Sequence, residues 1–378
     1  MPMPPVVQNP ADASALRLVD RARVALRCGE VVAIFDEPGA FGLALAVETL
    51  TLQAMARLRL LAGCEPVLAL TRWRAASLGL VAIGGSGVIT FSPCVDAIVE
   101  ALQAVSVEPG GRLLPFTHTG EGEGEADAIA VAAVRLTKLA ALLPTVVVAL
   151  VDSGLHPDAD WCQRQGLLLL RASSITDYQR REARALRLVA EAPVPLAGAP
   201  DTRILAFRPG NGGHEHLAMI IGKPLIDQPV LVRLHSECFT GDLLGSLRCD
   251  CGDQLRRAIH DISAQGGGIV LYLAQEGRGI GLVNKLRTYV LQDQGYDTLD
   301  ANEMLGFEAD ERLYLPAVEM LRQLGINRVR LMTNNPDKVD QIVRCGIEVV
   351  ERVPHVIPSN DHNQAYLRTK ALRGGHLF

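Results

Sequence analysis

The chain has 378 residues, of which 48% are hydrophobic and 21% charged, and its formal net charge is −5. That length exceeds what one hydrophobic core ordinarily serves, so two domains are expected, and the balance is that of a folded chain rather than a disordered one. Aromatic residues at 4% and an acidic net charge argue against a broad nucleic-acid surface and leave open a small anionic nucleotide held by a local cluster of Arg and Lys. No membrane span is expected, because the apolar run over 139–151 is too short and Pro144 interrupts it. The opening MPMPPVVQNPADAS has neither the basic start nor the apolar core of a signal peptide, so a cytoplasmic location with reduced thiols is expected.

In chain order, the periodicity predicts a helix over 11–29, with Leu16, Leu18, Val19, Ala22 and Val24 to Leu26 on its apolar face and Gly29 as its stop. A buried strand follows over 31–35, ended by the turn signal Asp36-Glu37-Pro38-Gly39. Helical stretches near 46–61 and 126–142 alternate with strand candidates at 66–70 and 145–151, a pattern of the α/β class. A charged helix is expected over 176–192. The Pro- and Gly-rich run over 192–200 then breaks all periodicity and reads as a domain boundary. Beyond it, strands are expected at 230–234, 268–273 and 328–333, and helices at 280–294, 314–324 and 336–345, giving mixed α/β sheets in two domains.

Five of the eight cysteines, Cys28, Cys64, Cys94, Cys162 and Cys345, stand alone and read as small core or surface residues. Cys238, Cys249 and Cys251 cluster in HSECFTGDLLGSLRCDCG, spaced C-x10-C-x-C. A Cys-x-Cys pair suits a turn wrapped around a metal, with Gly252 supplying backbone freedom. Three thiolates leave a fourth zinc position for water, as in catalytic sites, whereas a fourth ligand from His235 or His260 would close a structural site. Spacing alone leaves both open.

Two further segments lie between a strand and a helix. In Gln275-Glu276-Gly277-Arg278-Gly279-Ile280-Gly281-Leu282, backbone N–H groups could meet phosphate oxygens, with Arg278, Lys285 and Arg287 adding charge. The same pattern also describes a tight structural turn, and it matches neither the dinucleotide fingerprint nor the Walker A spacing. Thr333-Asn334-Asn335-Pro336-Asp337-Lys338 reads equally as a capped helix start.

RLHSECFTGD, SLRCDCG, QEGRGIGL, LQDQGYDT, LGFEADER, TNNPDK and HNQAYLRTK occur in one order from about residue 187 to the C-terminus. Together they strongly resemble the GTP cyclohydrolase II family of riboflavin biosynthesis. The resemblance implies hydrolysis of GTP with loss of formate and pyrophosphate, one Zn²⁺ per chain, Mg²⁺ on the triphosphate, and a homodimer. It assigns zinc to Cys238, Cys249 and Cys251, and GTP contacts to Arg233, Leu234, His235, Ser236, Glu237, Gln254, Glu276, Gly277, Arg278, Thr298, Thr333 and Lys338. Tyr289 takes the active-site tyrosine position, Asp310 the proton acceptor and Arg312 a proposed nucleophile. A guanidinium with a pKa above roughly 12 is a poor nucleophile, so charge stabilisation suits Arg312 better. Two other outcomes fit the same motifs: a homologue that stops at a formylated product, and a GTP-binding regulator without turnover.

Residues 1–186 resemble a divergent 3,4-dihydroxy-2-butanone 4-phosphate synthase domain ahead of a cyclohydrolase domain over 187–378. The run over 133–140 and the ending ITDYQRRE carry that likeness. Its expected acidic loop reads FDEPGAFGLALAVE, its His-Thr-Glu motif aligns near Ile129, Ala130 and Val131, and a later Glu aligns near Leu150. These losses imply a non-catalytic domain. His118 with Glu121, Glu123 and Glu125 reads as a solvated acidic loop.

Overall fold

The computed structural model describes residues 10–36, 39–80, 87–91, 128–151 and 158–355. Glu37, Cys94, His118, Glu121, Glu123, Glu125 and the segment HNQAYLRTK lie outside the described residues. Contacts divide the chain into two compact units. The first comprises Pro10–Tyr178 and Val283–Glu311; the second comprises Gln179–Leu282 and the described residues from Arg312 onward. Among the described residues no helix is long and apolar enough to cross a membrane.

The first unit holds a six-stranded mixed sheet in the order β4-β3-β5-β2-β1-β6. Its strands are β1 (Val32–Asp36), β2 (Ala40–Ala46), β3 (Val67–Thr71), β4 (Val88–Phe91), β5 (Thr145–Leu150) and β6 (Leu169–Arg171). The helix Pro10–Arg27 buries Leu16, Val19, Ala22, Ala25 and Leu26, at helical spacing, whereas Val24 faces solvent. The expected loop after the first strand is instead strand β2. It pairs antiparallel with β1 and β5, and its alternately apolar and small residues are buried from Phe41 to Ala46. The following helix therefore starts at Leu52, capped by Thr51, rather than near 46.

The helix Ala128–Leu139 ends in a Schellman motif: Leu142 N–H donates to the Thr137 carbonyl and Ala141 N–H to that of Lys138. The residue at the left-handed position of that motif is Ala141, with φ of 57°. Glycine is the usual occupant because a Cβ is strained there.

The second unit is built on a seven-stranded sheet in the order β13-β12-β10-β11-β9-β8-β7. These are β7 (Leu186–Pro193), β8 (Thr202–Pro209), β9 (His216–Gly222), β10 (Val230–Ser236), β11 (Gly267–Leu273), β12 (Arg328–Met332) and β13 (Glu348–Val353). The helix expected over 176–192 stops at Arg184, because Leu186–Pro193 pairs along β8 as an edge strand. Sheet pairing overrides local propensity there. The Pro/Gly break at 192–200 is accordingly the β7–β8 connection, closed by a bridge between Leu196 and Ala199, and not a boundary between units.

The contact units also differ from a single cut at 186/187, since Val283–Glu311 packs with the first unit. Specific hydrogen bonds explain that placement. Arg287 reaches Glu48 at 2.8 Å, Asn284 donates to the Ala141 carbonyl at 2.9 Å, and Arg74 donates to the Met304 carbonyl at 2.9 Å.

Strand β10 lies between β11 and β12, parallel to both. Val230, Val232 and Leu234 join one core with Ala317, Val318 and Leu321 of the helix Leu315–Gln323. Leu231 joins another with Ala258 and Ile262 of the helix Cys251–Ala264. With covering helices on opposite faces, β10 marks a topological switch point, and ligand crevices form beyond the C-terminal strand ends at such points. HSEC, QEGRGIGL and TNNPDK leave the C-terminal ends of β10, β11 and β12 respectively.

Ala141→Gly should stabilise the first unit by about 0.5–1 kcal/mol, the strain relieved less the entropy glycine adds to the unfolded chain. A raised urea midpoint with unchanged slope is the expected result, and a lowered midpoint would contradict the strained-cap assignment.

Candidate metal and anion site

The two-residue period of β10 puts Arg233 and His235 on the face that carries Leu231, toward the helix Cys251–Ala264. Leu234 points the other way into the core. Beyond the strand, Cys238 precedes a tight helical turn, Phe239–Leu243, and its amide donates to Asp242 Oδ2 at 3.0 Å. The same carboxylate accepts from the Tyr272 hydroxyl at 2.9 Å and lies 3.0 and 3.1 Å from His235 Nε2. A carboxylate accepts only, so His235 carries its proton on Nε2. The two rings stack with centroids 5.6 Å apart. Burial pushes the His235 pKa down, and burial followed by the Asp242 charge pushes that of Tyr272 far up, so both remain neutral donors.

Sequence spacing left the number of metal ligands open; the three thiols are brought together. Their sulfurs lie within 4.8 Å of one another, with Cys238 and Cys249 at 3.6 Å. Tetrahedral zinc with Zn–S near 2.3 Å sets sulfurs about 3.8 Å apart, so the set fits such an ion. Among the described residues no histidine completes this group. His235 Nε2 is engaged by Asp242, and His260 is exposed beside Asp261. Hydrogen bonding to Cys238, with burial, pushes Cys249 up to about 11, and hydrogen bonding to Cys238 and Cys249 pushes Cys251 well up. Three adjacent thiols oppose ionisation until a cation compensates their charge.

Gly252 has a different part from the expected one. It lies in the first turn of the helix Cys251–Ala264, where a Cβ would stand 2.2 Å from the Gly241 carbonyl oxygen. A Cβ on Gly241 would stand 2.8 Å from the Cys249 sulfur and 3.0 Å from that of Cys238. The two glycines are needed for close approach rather than for unusual dihedrals.

Arg233 is buried, donating to the Met332 carbonyl at 3.0 Å and to Gln254 Oε1 at 2.7 Å. Gln254 in turn donates to Asp250 Oδ2 at 2.5 Å. Desolvation lowers Arg233 to about 10, countered most by Asp250, so the guanidinium stays charged at neutral pH. Its Nε is buried with no hydrogen-bond partner, a donor that an anionic ligand would satisfy. Arg312 and Lys338 lie 5.8 and 5.4 Å from the centroid of the buried Tyr314 ring. Arg312 also lowers the Arg233 pKa, as expected of neighbouring cations.

In the Gly-rich segment, Gly277, Arg278 and Gly279 have φ of 62°, 60° and 93°. For Arg278 that left-handed geometry costs about 1–2 kcal/mol. Glu276 braces the segment, accepting from Gly277 N–H at 2.8 Å and from Phe239 N–H at 2.6 Å, and so links it to the thiol turn. Thr333 accepts from Asn335 N–H at 3.1 Å, and Asn335 caps the helix that begins at Pro336. That is the capped-turn reading, with the buried Lys338 added. Ser236 and Glu237 are half-buried at the end of β10.

Three expected site residues belong to the first unit. Tyr289 is half-buried on the helix Leu282–Asp293, Thr298 opens the helix Thr298–Met304, and Asp310 is exposed in the segment after it. Arg287, read as a phosphate contact, is instead paired with Glu48 and Asn284. Sequence reading missed Asp242, Tyr272, Asp250, Tyr314 and His355. Asp242 and Asp250 carried a signal, as members of RLHSECFTGD and SLRCDCG.

The profile of the GTP cyclohydrolase II family matches residues 187–354. A protein of Azospirillum brasilense called GTP cyclohydrolase-2 is 55% identical over 99% of this chain and 97% of its own length. The GTP cyclohydrolase-2 of Shigella boydii is 52% identical over 51% of this chain and 98% of itself. The riboflavin biosynthesis protein RibBA of Chlorobium phaeovibrioides is 40% identical over 74% of this chain and 69% of itself.

Two buried imidazoles make stability depend on pH. His355 donates its Nε2 proton to the Gln254 carbonyl at 3.0 Å, and His216 accepts from Ala274 N–H at 3.0 Å. Burial, aided by nearby positive groups, lowers both to about 4. The unfolded imidazoles protonate near 6.5 while the folded ones stay neutral, so stability is full above about 6.5 and declines as pH falls toward 4. The unfolding midpoint should drop between pH 7 and 5, at about 1–2 kcal/mol per histidine, and less steeply in His355→Gln. An identical pH profile for that variant would show that His355 makes no such contribution.

Proposed function

Because the chain belongs to the GTP cyclohydrolase II family, we propose that it opens the guanine imidazole ring of GTP, releases formate and pyrophosphate, and leaves 2,5-diamino-6-ribosylamino-4(3H)-pyrimidinone 5′-phosphate, the first step of riboflavin biosynthesis. The observation that carries this reading is the trio of sulfurs at zinc spacing beside a buried arginine with an unsatisfied Nε. Cys238, Cys249 and Cys251 would hold one Zn²⁺, which would supply an activated water at neutral pH. The chain's own residues prepare that step. Asp242 fixes the Cys238 turn, and Gly241 and Gly252 let the thiols close.

Arg233, Arg312 and Lys338 provide positive charge for the triphosphate, which would bring Mg²⁺ with it. Arg312 stabilises charge that develops at the α-phosphate, a task its permanently protonated guanidinium suits. Asp310 accepts the proton, and Tyr289 and Thr298 complete the substrate contacts with His235, Ser236, Glu237, Gln254, Glu276, Gly277, Arg278 and Thr333. Leu234 contributes through backbone, since its side chain is in the core. The protein works as a cytoplasmic homodimer.

The first unit carries no synthase chemistry in this reading. Ile129 and Ala130 are buried, with Ile129 against Gly42, where a Cβ would stand 2.7 Å from its Cγ2. Acid–base groups have no place on that apolar surface.

Incubation with GTP and Mg²⁺ should yield formate, pyrophosphate and the pyrimidine in equal amounts, and no dihydroxybutanone phosphate from ribulose 5-phosphate. GTP loss without formate would sink the proposal, and tight GTP binding without turnover would mark a regulator. Purified protein should hold one zinc per chain. Gly241→Ala should retain well below half of that after dialysis against a chelator, since its Cβ collides with two sulfurs; full zinc content would contradict the thiol site.

A further inference from the structure

In the first unit, Lys138 Nζ meets Glu311 Oε1 at 2.6 Å. The same oxygen accepts from Glu308 N–H at 2.9 Å and so closes the turn Glu308-Ala309-Asp310-Glu311. Asp310 lies inside that turn with its side chain exposed. Lys138 also lies 5.9 Å from the centroid of the buried Phe307 ring. At 19% and 22% side-chain exposure the ion pair is shielded enough to count for more than a surface pair.

Residues just before the turn are held from the same side. Thr71 Oγ1 donates to the Gly306 carbonyl at 2.8 Å, Arg74 to the Met304 carbonyl at 2.9 Å, and Trp73 Nε1 to Glu308 Oε2 at 3.4 Å. Gly306 has φ of 93°, and a Cβ on it would stand 2.7 Å from both Arg74 Cβ and Pro144 Cγ. Apart from the turn's own Glu308 N–H, every donor comes from residues 71–138 and every acceptor from residues 304–311. The segment's conformation is therefore set by side chains far away in sequence.

We propose that Lys138 is a positioning residue for Asp310, and that cyclohydrolase turnover depends on the first unit through this clamp. The proposal rests on the reading of Asp310 as proton acceptor. A general base must sit within hydrogen-bond reach of its proton, and displacement by about 1 Å can cost as much as 100-fold in rate. Lys138 touches no reacting atom; it acts by holding the carboxylate that shapes the turn.

The test uses the full-length chain with Lys138→Met, Lys138→Arg, and the exchange Lys138→Glu with Glu311→Lys. Formate release from GTP is followed alongside zinc content and amide hydrogen exchange over 304–311. Lys138→Met should lower kcat by about 10-fold to 100-fold, leave KM for GTP within about 2-fold, keep one zinc per chain, and speed exchange in the turn. Lys138→Arg and the charge exchange should recover most of the loss. Wild-type kcat with unchanged exchange in Lys138→Met would overturn the proposal, as would a loss that neither rescue variant repairs. If the wild type releases no formate, the functional reading fails separately, and unchanged exchange in Lys138→Met would then overturn the clamp.

Discussion

The carboxylate of Asp242 accepts from the Cys238 amide and the Tyr272 hydroxyl and binds the His235 ring, joining the ends of two parallel strands to the turn that presents the first thiol. Each partner comes from a different piece of backbone. His235 is on β10, Tyr272 on β11, and Cys238 begins the connection between them. Neutral donors facing one carboxylate in a shielded setting form a network in which each bond strengthens the others. The thiol turn owes its shape to this hub, and the close approach of Gly241 to the sulfurs is possible only while the turn keeps that shape.

A second hub surrounds the buried Arg233. Gln254 links Arg233 to Asp250, and its carbonyl receives His355. Asp250 immediately precedes the helix that begins with Cys251. Cys251 and, through Gln254, the buried arginine are thus anchored to the first turns of the same helix. A buried guanidinium is tolerated because Asp250 offsets its desolvation.

The first unit is held together by an apolar sheet and by polar contacts to a segment distant in sequence. Its sheet buries apolar and small side chains along β2 and β5. Its polar contacts gather instead on Val283–Glu311, through Glu48, Thr71, Arg74 and Lys138.

Much of this was readable in the sequence. The helix Pro10–Arg27, the parallel strands β10 to β12 and the helices Leu282–Asp293, Leu315–Gln323 and Pro336–Arg344 announce themselves by periodicity, since burial of one face imposes a repeat that the chain must carry locally, whereas the helix Cys251–Ala264 was not expected. The thiol motif and the charged loops were equally visible, as chemistry at fixed spacing. The strand Leu186–Pro193, the partnership of Arg287 with Glu48, and the grouping of residues 283–311 with the first unit were not. Each depends on a partner more than ten residues away in sequence, and a strand edge or a buried ion pair leaves no period of its own. The sequence determined which residues could bind metal and anion; the tertiary structure decided that three thiols close to zinc spacing with no histidine among the described residues, because Asp242 had already claimed His235.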